Sequence, residues 1–212
     1  MAEPVRIVPV ALPPMVVSHV ERRDRQEEAI LTAALKRLRG PGPEAVTVRS
    51  LADDTGYSSW VVYKLYGSKD GLFEALVAHG YDRLDERCAQ VVEAHADPFE
   101  RLTHLGLAFH HFARDEPALF KAMFLGSLRW DRTEGARRRH DASFALVEET
   151  VAAVIDAGVM TGDPHDVAHL LWAGVMGVAT QELGGHVSAA DGERLLQQMT
   201  VSVVTAHIGP NG

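Results

Sequence analysis

The sequence holds 212 residues, 46% apolar and 24% charged, the balance of a soluble globular chain and not of a disordered one or a polytopic membrane protein. No stretch approaches the roughly 18–20 uninterrupted apolar residues of a membrane-spanning helix. One cysteine, Cys88, excludes an internal disulfide or a thiolate metal site and points to a reducing compartment, the cytoplasm. The net charge of −8 is unevenly spread: residues 22–70 carry nine basic against seven acidic side chains, whereas residues 71–212 sum to −9. A mildly basic front on an acidic body is a polarity able to orient the molecule on a polyanion.

Apolar residues recur at three- and four-residue spacing along nearly every long segment, which predicts an all-α chain. Pro4, Pro9, Pro13 and Pro14 mark residues 1–20 as a mobile tail, without the basic leader and cleavage site of a signal peptide. A helix from Arg23 to Leu38 turns Ala29, Ile30, Ala33, Ala34 and Leu38 inward and stops at Gly40-Pro41-Gly42-Pro43. Thr47 caps Val48–Thr55, Gly56 follows, and Ser58 opens a second short helix to Leu65 or Tyr66. Ser68 caps a long helix to Ala94, with Leu72, Phe73, Leu76, Val77, Leu84 and Val91 as its inner stripe. Asp97-Pro98 and Glu116-Pro117 start helices running to Ala113 and Leu125. The polar stretch Ser127–Arg139 reads as a loop, and Asp141–Ala157, Pro164–Leu183 and Asp191–Ala206 as three further helices.

The two short helices and their glycine-containing turn form a helix-turn-helix unit. Ala52 stands where the helices cross, Gly56 suits a left-handed backbone, and Val48, Leu51, Val62 and Tyr66 close the small core. Ser59, Trp60, Tyr63 and Lys64 are left on one exposed arc of the second helix. That set suits a DNA major groove, with serine at base edges or phosphate, tyrosine and lysine at the backbone, and the indole on thymine methyl groups. Thr47, Ser58 and Lys69 flank the arc, where capping hydroxyls and helix N-termini grip phosphate oxygens. Spacing alone equally describes two helices of a bundle with Trp60 and Tyr63 buried.

Thr47-Val48, Leu51-Ala52, Thr55-Gly56, Ser58, Val62-Tyr63, Tyr66, Ser68-Lys69 and Leu72 resemble the DNA-binding head of the TetR (tetracycline-repressor) family of bacterial transcription regulators. The helix from Arg23 resembles that family's first helix, so the likeness covers residues 23–76. Tyr57, Trp60 and Leu65 depart from it, standing where the family has an aliphatic residue, a small residue and a His or Tyr. The resemblance implies phosphate contacts at Thr47, Tyr63 and Lys69. Residues 97–208 resemble a C-terminal effector domain of the type named for a Trp-His-Gly signature, with Met176 in the histidine's place. The organisation it implies is a tail (1–20), a three-helix DNA-binding head (21–70) and a larger helical domain (71–212) for effector binding and dimerisation. The function it implies is a ligand-responsive regulator, a repressor, that binds a pseudo-palindromic operator as a homodimer.

Phe109, Phe112, Phe120, Met123, Phe124, Phe144, Trp172 and Met176 are the candidates for an apolar effector pocket, with core packing as the alternative. Ala168, Ala173, Gly174, Gly177 and Ala179 allow close helix approach, so the helices near 164–183 and 191–206 are the candidate dimer seam. His165 and His169 sit one turn apart and His110-His111 form a second pair, but no further ligand completes a metal shell. Neither metal nor cofactor is expected. Arg137-Arg138-Arg139 reads as an anion contact or as a solvated helix start or loop, and Arg22, Arg23 and Arg25 as additional phosphate or minor-groove contacts. Phosphate-loop, dinucleotide and nucleophile-elbow patterns are absent from the sequence, and Cys88 reads as a small hydrophobe. Two rivals to the regulator are a partner-docking protein that retains the head and an all-helical enzyme using the apolar pocket.

Overall fold

The computed structural model describes residues 14–126, 128 and 133–209. Its elements are α1 (Pro14–Arg39), a 3-10 turn (Pro43–Ala45), α2 (Val48–Thr55), α3 (Ser59–Tyr66), α4 (Lys69–Ala94), α5 (Pro98–Asp115), α6 (Pro117–Phe124), α7 (Glu134–Asp156), α8 (Pro164–Leu183) and α9 (Ala189–Ala206). An isolated antiparallel bridge between Met160 and Ile208 is the one strand-like pairing among the described residues. The chain is all-α, as its periodicity predicts.

Local chemistry sets the helix ends. The Thr47 hydroxyl accepts from the Ser50 amide at 3.1 Å while the Ser50 hydroxyl accepts from the Thr47 amide at 3.1 Å, a reciprocal cap on α2. Gly56 ends that helix at φ 72°, a conformation a side chain would resist. Ser68 and Asp97 cap α4 and α5 through the Gly71 and Glu100 amides. Pro98, Pro117 and Pro164 open their helices where an N–H has no intrahelical partner.

Two starts differ from the sequence expectation. Helix α1 begins at Pro14 and not at Arg23, so residues 14–20 are helix and not tail. Pro14 lacks only a donor that the first helical position does not use, and no further proline interrupts the run from Met15. Residues 1–13 of the expected tail lie outside the described residues. Helix α7 begins at Glu134, inside the expected loop. Thr133 caps it at the Ala136 amide (3.2 Å) and donates to Glu74 of α4 at 2.6 Å. Arg137 and Arg138 pair with Glu134, and Arg139 reaches Asp82 of α4 at 2.5 Å. The polarity read as a loop is therefore a solvated helix start whose charges pair along the helix and across to α4. Ser127 and residues 129–132 of that loop lie outside the described residues.

Ile30, Ala34 and Leu38 of α1, Leu51 of α2, Val62 of α3 and Leu72, Phe73 and Leu76 of α4 belong to one buried cluster. It continues through Leu105, Phe112, Phe120 and Met123 to Ala179. Each large side chain so buried contributes about 1.5–3 kcal/mol. The head (α1–α3) thus shares its core with the body through α4, which begins at Lys69, next to the expected boundary at 70/71. A second cluster joins Leu102 of α5, Val147, Val151 and Val154 of α7, and Val167, Ala168 and Leu171 of α8.

Polar ties orient the head helices. Arg37 of α1 donates to Asp54 of α2 from Nε at 2.5 Å and Nη2 at 2.7 Å, and this guanidinium holds the Asp54 carboxyl below its usual range. The Tyr66 hydroxyl donates to the Glu27 carbonyl at 3.2 Å, tying α3 to α1, and burial pushes that phenol up to about 12.

Candidate nucleic-acid interface and effector cavity

Helix α3 rests on Val62, which is 1% exposed, and turns its opposite side to solvent. Trp60 is 66% and Tyr63 53% exposed, and Ser59 and Lys64 are exposed beside them. The expected arc therefore exists, and the bundle alternative with these aromatics buried does not hold. Lys64 Nζ lies 5.0 Å from the centre of the Trp60 ring, a cation–π contact one helical turn along α3. Lys69 is exposed at the start of α4, with Nζ 5.0 Å from the Phe73 ring centre.

The flanking hydroxyls differ from one another. Thr47 is half-buried and engaged in the α2 cap, its hydroxyl also donating to Ser50 Oγ at 3.0 Å. Ser58 holds an N-cap backbone conformation, yet its side chain makes no cap hydrogen bond and is exposed. Tyr57 and Leu65, two departures from the family pattern, pack against the core.

In the body, an apolar cavity of about 30 Å³ is lined by Leu102, Leu105, Gly106 and Phe109 of α5, Val147 of α7, Leu171, Trp172, Val175 and Met176 of α8, and Thr200 of α9. Of the candidate pocket residues, Phe109, Trp172 and Met176 line it. The first two meet edge to face at a ring-centre distance of 4.9 Å. Phe112, Phe120 and Met123 are instead core residues, 0%, 0% and 2% exposed, because α5 and α6 turn them onto α4. Phe124 packs against Phe120 and Tyr81, with ring centres at 5.0 and 5.8 Å, and Phe144 lies on His169 at 4.3 Å. Choosing by side-chain size missed the aliphatic lining. Its signal was the series 102, 105, 106, 109 on α5 and 171, 172, 175, 176 on α8, at helical spacing.

The small residues of α8 divide between two faces. Ala168 and Ala179 are buried within the chain, and a Cβ on Gly174 would lie 2.6 Å from Met199 Cε of α9. Ala173 and Gly177 face solvent with Leu170, 50% exposed, while α9 contributes Val201, 64% exposed.

The histidines of the two sequence pairs each have a local partner. His165 Nδ1 lies 3.2 Å from Glu148 Oε2, His169 Nδ1 3.1 Å from the His165 carbonyl, His110 Nε2 2.7 Å from Glu182, and His111 Nε2 3.1 Å from Glu193. Among the described residues no group of three or more His, Cys, Asp or Glu is placed to hold a metal ion. Cys88 is 3% exposed. No described helix is long and apolar enough to cross a membrane.

Comparison with known proteins decides between these readings. A family model described as "Bacterial regulatory proteins, tetR family" matches residues 30–76, and one described as "Tetracyclin repressor-like, C-terminal domain" matches residues 102–203. The chain belongs to the TetR family. This TetR-family protein is thereby a ligand-responsive, DNA-binding transcription regulator. It is 26% identical over 151 residues to the HTH-type transcriptional repressor KstR of Mycobacterium tuberculosis, covering 71% of this chain and 66% of that one. It is 28% identical over 136 residues to the nucleoid occlusion factor SlmA of Edwardsiella ictaluri, covering 63% and 67%. The fold matches a TetR transcription regulator of Haloarcula marismortui with a TM-score of 0.72 at 22% identity, over 87% of this chain and 99% of that one. It also matches a Rhodococcus protein of unknown function with a TM-score of 0.78 at 22% identity, over 86% and 95%.

Proposed function

We propose that this regulator is a cytoplasmic, non-catalytic repressor that binds a pseudo-palindromic operator as a homodimer, with α3 of each copy in a major groove. The observation that carries this reading is the solvent-facing arc Ser59, Trp60, Tyr63 and Lys64, a large aromatic and cationic surface that contributes nothing to the core. Ser59 and Trp60 read base edges and thymine methyl groups, while Ser58, Tyr63, Lys64 and Lys69 hold phosphates. Thr47 acts through the α2 N-terminus that it caps. The domain division places residues 21–70 on DNA and residues 71–212 in effector binding and dimerisation.

The second copy docks on the α8–α9 face around Leu170, Ala173, Gly177 and Val201, because two half-sites about 34 Å apart need two heads. The effector enters the cavity beside Phe109, Trp172 and Met176, and its lining selects a mainly apolar, uncharged molecule. Met176 has the flexible side chain needed to enlarge a space that now holds little more than one water.

In-vitro selection from random duplexes, followed by gel-shift titration, tests the reading. Enrichment of a palindromic site bound by the dimer, and weakened by Trp60→Ala or Tyr63→Ala, is expected. Recovery of no sequence above background would overturn it. The likeness to nucleoid occlusion factors favours a second reading, a DNA-bound protein acting through a protein partner. That reading predicts operator binding with no change in transcription from the bound site.

A further inference from the structure

Helix α1 extends well past the part of it that packs. Ile30 is its first fully buried residue among those described, and every residue from His19 to Arg25 is exposed. His19, Arg22, Arg23 and Gln26 fall at three- and four-residue spacing, on one stripe of the helix. That stripe forms one wall of a groove of about 570 Å³, whose other wall is Trp60, Val61, Lys64 and Leu65 of α3. Three permanent cations line the groove, and no carboxylate does. Arg22 also lines a neighbouring groove with His19, Arg25, Gln26 and Tyr57.

The cations are not equally available. Arg23 Nε lies 2.7 Å from Glu27 Oε1, and Arg25 Nη2 lies 3.7 Å from Glu21 Oε2. Arg22 and Lys64 have no ion pair among the described residues.

From this placement we infer that the exposed front of α1 is a second phosphate-binding element, which clamps the sugar–phosphate strand bordering α3 between Arg22 and Arg23 on one side and Lys64 on the other. The inference rests on the proposed docking of α3 in a major groove. A helix lying in that groove has a phosphate strand along each flank, so a cationic channel directly beside α3 is where one strand runs. Arginine suits the task through its fixed fork of donors. The contacts are to the backbone and carry no sequence information, so they act on any duplex equally.

The experiment uses the full chain and two duplexes: one recovered by in-vitro selection with the parent protein, and a scrambled version of it. Binding is measured by fluorescence anisotropy between about 50 and 200 mM salt, where counterion release makes log K linear in log salt with a slope of roughly −0.9 per phosphate neutralised. Arg22→Ala/Arg23→Ala is expected to flatten the slope by about 1.8 per bound subunit. Both duplexes should weaken by the same factor, leaving their affinity ratio unchanged. Arg22→Lys/Arg23→Lys should keep the parental slope, because lysine still supplies a point charge, and circular dichroism should show all three proteins equally helical. An unaltered slope in the alanine variant, with the parent binding its selected duplex, overturns this inference alone. Failure of the parent to bind any duplex overturns it together with the reading on which it rests.

Discussion

Arg39, in the last turn of α1, donates to Glu116 Oε2 from Nη2 at 2.7 Å and from Nε at 3.2 Å. The other carboxylate oxygen takes Arg83 of α4 at 2.9 Å. Glu116 lies at the α5–α6 junction and its side chain is 8% exposed, so one nearly buried carboxylate fastens the head to two elements of the body. Both arginines keep access to water and can resolvate when the carboxylate is lost. Glu116→Gln is therefore expected to cost about 1–3 kcal/mol in urea unfolding, the range for hydrogen bonds to charged groups. Combined with Arg39→Ala it should cost less than the two single changes added together, since both remove the same contact. Strict additivity would show that the pair does not interact in solution.

His79 of α4 lies close to this cluster, with its Nε2 buried and unbonded among the described residues. Burial first, and then the Arg83 charge, hold its pKa below 6.5. The folded imidazole stays neutral while the unfolded chain takes up a proton, so the unfolded state binds more protons as pH falls below 6.5. Stability should decline with acidification between that value and the lower folded one. Thermal midpoints at about pH 7.5 and 5.5 should differ less in His79→Gln than in the parent. An identical difference would assign the acid sensitivity to other groups.

The α8–α9 face gives a sharper test, because at Gly177 a side chain would meet nothing within 4 Å in the chain itself. Gly177→Arg should leave the fold intact or raise its stability by up to about 1 kcal/mol through helix propensity. In a dimer closed on this face, the same side chain blocks contact. Light scattering should report a monomer for Gly177→Arg and for Leu170→Glu at concentrations where the parent is dimeric. A dimer persisting in both variants would move the seam elsewhere.

Burial pushes the Cys88 thiol up to about 12, and the nearby Asp85 carboxylate adds to the rise. The thiolate is the reactive form. The native protein should resist DTNB at about pH 8, with rapid labelling only after denaturation. Fast labelling of the native protein would reveal frequent opening around α4.

The features legible in the sequence are those that local chemistry decides. The caps at Thr47, Ser68 and Asp97 and the turn at Gly56 each need only a few consecutive residues. The exposure of Trp60 and Tyr63 followed from the phase of Val62 within α3. Where a distant partner decides, the reading failed. The start of α7 depends on Glu74 and Asp82, more than fifty residues away. The apolar cavity depends on four helices meeting, which no single spacing records, so Phe112 and Phe120 looked the same as Phe109 until α4 claimed them. Glu116 was visible only as a residue before a helix-starting proline; its two arginines stand far off along the chain.

The unbroken buried cluster from Ile30 to Ala179 limits how such a protein can be recombined. Its front end is not a detachable cartridge. Excised at residue 70, it would leave Leu72, Phe73 and Leu76 behind and lay bare the undersides of Leu51 and Val62. A chimaera meant to redirect this regulator to a foreign operator has to exchange the solvent-facing side of α3 alone, in place, and keep every residue beneath it.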